Sequence, residues 1–542
     1  MKRINKIFNL KKSVWLLCTL FIFTSCENFL EDELLSDTSV DFVYSTLDGL
    51  ETGVVGLHDL NRQIYDEGAN EHMVALLMQA KSDLIFPRGG AITNISRFNN
   101  WGITPDDFGT TNRIGILWRS YYRIVDRANA IIKAAEALDG VDENRKNQIL
   151  AETKAFRANS YFTLYRQFNN IFITTEPTTP ENAFDKPQDK SSVDEIFALI
   201  NSDLDFAIAN LEWTTPEFGR FTQATARHIR AKTAMWQKDW AEAKLQAETT
   251  INNGSYSLVS STKDVFRGDL NNTEALLVIQ YADEVIGGSR GTLIHFNLIP
   301  SYNAIPGADL SIENGGRGAG FIMPNLYLTN LLTEDPNDDR DNGTYYITHY
   351  TYNTLTNLPS GASIGDTIRI YDQFSTSATE RNNYHRRLNP GVLKFFPDNP
   401  PVLNSARYTK NIMVYRLAET YLIAAEANME LGNTGDALIY INAVRTRAGA
   451  DEINTIDQTA ILDERARELA FEGQRWYTLK RMGVLEFQIK NHAGNVYLDN
   501  NGNQVSLRAE ARDRYLPQFI NLPIPQPEID LLGPNYPQND GY

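Results

Sequence analysis

The chain reads as a mainly α protein in which pairs of helices stack into a scaffold that carries a loop-rich, partly β region. Three observations predict this. Apolar residues recur at three- and four-residue steps through 41–260 and again after 410, the period of a helix face. Between about 255 and 410 that period fades, Gly, Pro, Asn and Tyr rise, and short β-like runs such as ALLVIQY and IGDTIRIYD appear. With 542 residues, 42% of them hydrophobic, there is apolar material for a large core and length for several domains.

The first 25 residues read as an export signal. Lys2, Arg3, Lys6, Lys11 and Lys12 precede an apolar run at 14–23. The run is too short to cross a bilayer, which takes roughly 18–20 residues, and it fits the apolar stretch of a signal peptide. Thr24 and Ser25 then lead into Cys26, an arrangement that resembles the lipobox of bacterial lipoproteins, whose cysteine is acylated after cleavage. The other cysteine, Cys18, lies in the segment to be removed. The mature chain therefore has no internal disulfide to form despite an oxidising destination, and Cys26 is left to lipidation. Residues 26–40 are polar and acidic and read as a tether.

From 41 to 260 the chain reads as an N-terminal helical region. A helix is expected over 112–138, with Ile114, Leu117, Tyr121, Ile124, Ala128, Ile131, Ala135 and Leu138 on one face. A second runs over 149–168. A third opens with SVDE, where Ser192 and Glu195 form a capping box. A helix pair follows over 224–254, with Gly254 at a C-cap position. The C-terminal region, 261–542, begins with the loop-rich insert at 261–410 and returns to helices within 415–433, 434–449 and 460–483. Ala424, Ala425, Ala427 and Ala437 permit close helix approach, and the turn ELGNTGDA resembles that of a tetratricopeptide unit.

Charge narrows the partners. The chain carries 51 basic and 68 acidic residues, a net −17, and loss of the five basic signal residues makes it more acidic. Such a surface repels nucleic acid and anionic headgroups, so membrane association is expected from a lipid.

The segments YRLAETYLIAAEA, INAVRTRAG, ERARELAFEGQRWYTLKRMG and LPIPQPEIDLLGPNYPQNDGY resemble the C-terminal half of the SusD/RagB family of Bacteroidetes outer-membrane lipoproteins. LWRSYYRIVDRANAII, ETKAFRANSYFTLYRQF and GRFTQATARHIRAKTAMWQKDWAEA are similar to its N-terminal half, in the same order. Two places depart from the family pattern: FNNIFI, with Asn169, Asn170 and Phe172, and Thr478, where an aspartate is common. The resemblance implies a SusD-like fold with tetratricopeptide-type helices, lipid-anchored in the outer membrane and facing the cell exterior. It implies capture of oligo- or polysaccharide for a SusC-like TonB-dependent transporter, without catalysis or cofactor. A peptide-binding RagB-type protein and an exported glycoside hydrolase are the alternative readings.

Candidate ligand residues follow from exposure and chemistry. Trp101 stands in a polar loop beside Asn99 and Asn100, and a flat ring amid amides suits the C–H faces and hydroxyls of a sugar. The family's carbohydrate surface also draws on loops at this place and in the middle region. There Phe296, Tyr302 and Asn303 are further candidates, while Arg381, Tyr384, Arg386 and Arg387 suit an acidic ligand. Trp118, Trp213, Trp236, Trp240 and Trp476 fall in or beside helix patterns and are expected to pack.

Other motifs carry less. GGSRG centres Ser289 as a nucleophile elbow does but has no helix pattern after it. The loop DPNDDRDNG offers Asp335, Asn337, Asp339 and Asp341 to a structural calcium, yet Arg340 stands where an EF-hand needs glycine. GGRGAG, 315–320, reads as loop glycine. Glu464, Glu468 and Arg475 are read as helix-face ion pairs, with Trp476 and Leu479 in packing.

Overall fold

In order, the N-terminal helices are α1 (Leu47–Tyr65), α2 (Arg113–Glu136), α3 (Glu143–Phe168), α4 (Val193–Asn210), α5 (Gln223–Gln237) and α6 (Trp240–Asn252), with strand β1 (Ile85–Pro87) after α1. The insert holds β2 (Ala275–Ile279), β3 (Ile322–Pro324), α7 (Leu326–Thr333), β4 (Tyr346–Ile347), α8 (Ala378–Arg387), β5 (Gly391–Val392) and β6 (Ile412–Arg416). The C-terminal part adds α9 (Leu417–Glu430), α10 (Thr434–Arg447), α11 (Gln458–Leu469), α12 (Arg475–Arg481) and α13 (Leu485–His492). This computed structural model describes residues 43–65, 78–88, 97–106, 113–187, 189–282, 291–341, 343–368, 377–498 and 503–542. Cys26 with the signal and tether, Ser289 and the side chain of Arg381 lie outside the described residues.

The helical period does what the sequence predicts. In α2, Ile114, Leu117, Tyr121, Ile124, Ala128, Ile131 and Ala135 are all buried. Helix α3 is capped by Asp142, whose carboxylate accepts from the backbone of Asn144 and Arg145. It packs on α1, α2 and α4, so it is buried on several sides and has no polar face along most of its length. Of its two buried guanidiniums, Arg157 and Arg166, Arg157 meets Asp203 of α4 through two hydrogen bonds of 2.8 Å. Helix α4 has the Ser192–Glu195 capping box.

The layer continues from α4 to α5 and α6, and α9 packs directly on α6. Alanines explain that junction. Ala231 and Ala234 of α5, Ala243 and Ala247 of α6, and Ala424 and Ala427 of α9 are fully buried together, so three backbones approach closely. The chain thus leaves the helical layer after α6 and re-enters it beside α6.

Between those points β2 and β6 pair antiparallel, Ile279 opposite Ile412 and Ala275 opposite Arg416, with an irregularity between them. The pair fastens the two ends of the insert. Within the insert, short strands and a separate cluster around Ile299, Tyr302, Tyr350 and Leu388 form a small core. Strand β3 reaches back to β1, Pro87 opposite Ile322.

Under the insert lies a buried ionic network. Glu468 accepts from Arg340 (2.9 Å), Arg416 (2.6 Å) and Arg447, and Glu464 from Arg340 (2.7 Å) and Arg445 (2.8 Å). Arg475 instead forks onto Asp83 at 2.7 and 2.8 Å. These acids and Arg475 are structural, as expected, but they pair across the molecule rather than along one helix face. The Asp335–Asp341 loop belongs to the same system. Asp338 holds Arg340, Asp335 accepts from the Asp451 backbone, Asp339 accepts from Thr262, and the described residues gather no metal-ligand cluster there. Among the described residues, no helix is long and apolar enough to cross a membrane.

Candidate functional site

Trp101 ends a single helical turn. Gly102 N–H donates to the Arg97 carbonyl at 2.8 Å, and Trp101 takes φ 61°, the left-handed residue of a helix stop usually given to glycine. Packing holds it there. The ring stacks on Phe519 (5.8 Å, 14°), meets Tyr515 edge-on, lies 4.1 Å from Lys81 Nζ and donates to the Ala511 carbonyl. It is 3% exposed, so in this structure it presents no open face. Asn99 is buried and donates to the Ala80 carbonyl. Asn100 is half-buried, with its Oδ1 unpaired.

The other candidates lie on one segment of the insert. Phe296 is half-buried in a short helix, Ile294–Leu298. Tyr302 is fully buried, stacked on Tyr350 at 5.2 Å, and its hydroxyl accepts from the Ser311 backbone. Asn303, the next residue, is exposed. Among the described residues, Phe296 and Trp101 share no ring or cation partner. The structure therefore splits the predicted set into a packed group, Trp101, Asn99 and Tyr302, and an accessible pair, Phe296 and Asn303.

Around Phe296 the structure adds residues that the sequence analysis had not selected. Phe321, at the start of β3, meets the Phe296 ring edge-on at 6.3 Å. The Arg317 guanidinium stands 5.3 Å from the Phe296 ring and that of Arg88 stands 5.3 Å from the Phe321 ring. Both rings are half-exposed and Arg317 is exposed. The result is a row of guanidinium, ring, ring and guanidinium across the rim of the insert.

Local geometry explains the row. Arg88 continues β1, donating its N–H to the Phe321 carbonyl and Nη1 to the Ala319 carbonyl at 2.6 Å. The glycine run 315–320 lets the backbone cross the 294–299 segment at contact distance: a Cβ on Gly318 would sit 2.0 Å from the Ile299 carbonyl oxygen. Ala319 N–H then donates to the Phe296 carbonyl, fixing one ring relative to the other. Burial, and next to it the charge of Arg386, lower the Arg88 pKa from its usual value, and its Nε is buried without a partner. Arg386 of α8 is exposed.

Such a row can stack a flat apolar face on its rings while the guanidiniums donate to hydroxyl or acidic oxygens at the edge. The sequence signal for the added residues was an arginine and an aromatic flanking glycine runs, in FPRGG and GGRGAGF.

Comparison with known proteins gives the family. A family model described as the SusD family matches residues 273–542, and another, described as starch-binding associating with outer membrane, matches 60–234. The chain belongs to the SusD/RagB family. This is a family of glycan-binding proteins associated with the outer membrane. The chain is similar to SusD-like protein P25 of Formosa agariphila, 26% identical over 97% of both chains. It is also similar to the starch-binding protein SusD of Bacteroides thetaiotaomicron, 33% identical over 27% of this chain and 24% of that one. Among solved structures, a laminarin-binding SusD-like protein shares its fold at TM-score 0.67 and 24% identity, covering 91% of this chain and 99% of that one. The SusD-like fold, helical with a loop-rich insert, is as the sequence predicts.

Proposed function

We propose that this protein captures a glycan at the cell surface and delivers it, uncut, to a SusC-like TonB-dependent transporter. The observation that carries this reading is the Arg317–Phe296–Phe321–Arg88 row, half-exposed on an otherwise acidic chain. Asn303, on the same segment as Phe296, adds an amide for sugar hydroxyls. Trp101, Asn99, Asn100 and Tyr302 support these loops from within. Cys26 carries the lipid that holds the protein on the outer leaflet, facing outward.

Native gels containing plant, algal, fungal and animal polysaccharides test the binding role, using the chain from Glu27 onward. Retardation by one polymer, lost in Phe321→Ala and without shortening of the polymer, is the expected result. Shortened products would make the protein a glycoside hydrolase. The exposed Arg386 near Arg88 favours a second reading, a ligand with carboxylates such as a peptide; retardation by no polymer, with binding of a peptide library, would establish it. Cys26→Ala is expected to release the protein from membranes, and tight association of that variant would sink the anchor.

A further inference from the structure

Two adjoining cavities share Arg166, Gln474 and Tyr477 in their walls, and they differ in their unpaired atoms. The larger lies under α1 and the β2/β6 pair. Its unpaired atoms include two acceptors, Oε1 of Gln79 and of Gln167, the kind of group to which a water molecule donates. The smaller lies between α5, α9, α11 and α12, and carries only unpaired donors besides those already engaged: Nε of Arg166, and Nε and Nη1 of Arg465. These two arginines are 2% and 5% exposed.

Charge around the smaller cavity is uneven. Arg166, Lys232, Arg465 and Arg481 line it, with Glu419 the single carboxylate in the wall among the described residues. Glu419 already receives Lys232 at 2.7 and 2.9 Å, Arg465 at 3.1 Å and His228 at 3.1 Å. Arg481 is held by Glu426 outside the wall, at 2.6 and 2.8 Å. Lys480 adds a further cation, donating to the Arg166 carbonyl. Burial lowers the pKa of Lys232 and of Lys480 to about 7, and Arg166 pushes in the same direction at both. Unneutralised buried charge is costly, so a site of this kind takes up a counter-charge or sheds protons.

We propose that the smaller cavity binds one monatomic anion, chloride in ordinary solution, between the guanidiniums of Arg166 and Arg465. Its volume of about 20 Å³ admits a single particle the size of water or a halide and excludes phosphate and sulfate. A water molecule could accept from the same donors, but it brings no charge. A halide accepts from all three N–H groups and offsets the surplus cation. It also ties α3, through Arg166, to α11, through Arg465, at the point where the signature helices α11 and α12 meet the helical layer.

Crystals of the protein grown in sodium bromide, with data collected at the bromine edge, give the decisive measurement. An anomalous peak within hydrogen-bond reach of Arg465 Nη1 and Arg166 Nε is expected, and its loss in Arg465→Gln. In solution, Tm at constant ionic strength should rise by about 1–2 °C per tenfold replacement of gluconate by chloride above the Kd. A cavity holding only water in saturating bromide overturns the proposal whatever the melting curves show. A peak that survives Arg465→Gln overturns Arg465 as a ligand. Should that variant fail to fold, the bromide map of the unaltered protein decides alone.

Discussion

The helical layer and the insert are built on different physics. In the layer, buried alanines and a 3.6-residue period bring α5, α6 and α9 together, and each buried face, though not its partner, is marked by residues a turn apart in sequence. In the insert, strands of two to five residues, stacked tyrosines and a web of arginines and glutamates do the work. Its partners come from far along the chain: Arg340 meets Glu468, and Arg88 meets Phe321. Regular packing gives the molecule a frame whose face chemistry is monotonous. Irregular, long-range pairing lets the insert hold unlike side chains at chosen places on its rim.

The sharpest break of this comparison is Glu468→Ala. It takes from Arg340, Arg416 and Arg447 the buried carboxylate they share and leaves each with fewer acids than the network was built on, at an expected cost of about 3–5 kcal/mol in chemical denaturation. Ala424→Leu, overpacking the alanine junction of the layer, is expected to cost about 1–3 kcal/mol. Were the two equal, the network would be no more than ordinary packing. Trp101→Ala is expected to cost about 3–5 kcal/mol, with glycan affinity of the folded fraction unchanged if the ring only supports its loop.

A pH test separates buried cations from buried acids. Lys480 and Lys232 titrate at about 7 in the folded chain against 10.5 free, so between those values the unfolded chain binds more protons. Stability should therefore rise as pH goes from 7 towards 9. Glu419 and Glu468 sit well below their usual pKa, and their contribution is complete above about 4.5 and lost only as pH falls further. Lys480→Met should flatten the rise between 7 and 9 and leave the acid limb alone. An unchanged slope in that variant would mean that Lys480 stays charged in the folded chain, so that burial and Arg166 do not depress its pKa.

How much of this was legible in the sequence follows from the same contrast. Helix α2 could be read residue by residue because each buried side chain repeats at the helical period. The ends of the layer were legible too, through Asp142, Ser192 and Glu195, since caps act over three residues. The run ALLVIQY became β2, whereas the described part of IGDTIRIYD shows only an isolated bridge, Thr351 to Thr367. The helical pattern over 460–483 breaks into α11 and α12 at Phe471, which takes φ 68°. At the site, Phe296 and Asn303 could be picked by residue type. The sequence places Trp101 in a polar loop but cannot show that Tyr515 and Phe519, more than 400 positions on, cover its ring. Nor does any spacing rule bring Arg88 to Phe321, whose meeting depends on the β1–β3 pairing.

On the rim itself the expected effects are smaller and concern ligand rather than fold. Phe321→Ala should weaken glycan binding roughly tenfold, about 1.4 kcal/mol, with little change in Tm because the ring is only half-buried.

Asn303→Ala is the finest probe. Asn303 is exposed in the short 3₁₀ turn Tyr302–Ala304, and its neighbour Tyr302 anchors that turn by stacking on Tyr350. Removing the amide leaves the anchor intact, so stability should move by less than about 0.5 kcal/mol. A hydrogen bond to a sugar hydroxyl is worth about 0.5–1.5 kcal/mol, so affinity should fall by roughly two- to tenfold in isothermal titration. Tyr302→Ala should do the reverse, lowering Tm sharply because it empties the insert's own core. If Asn303→Ala binds as the unaltered protein does, the surface ends at Phe296 and runs instead along β3 towards Arg88, and the insert contributes one edge of the site rather than its floor.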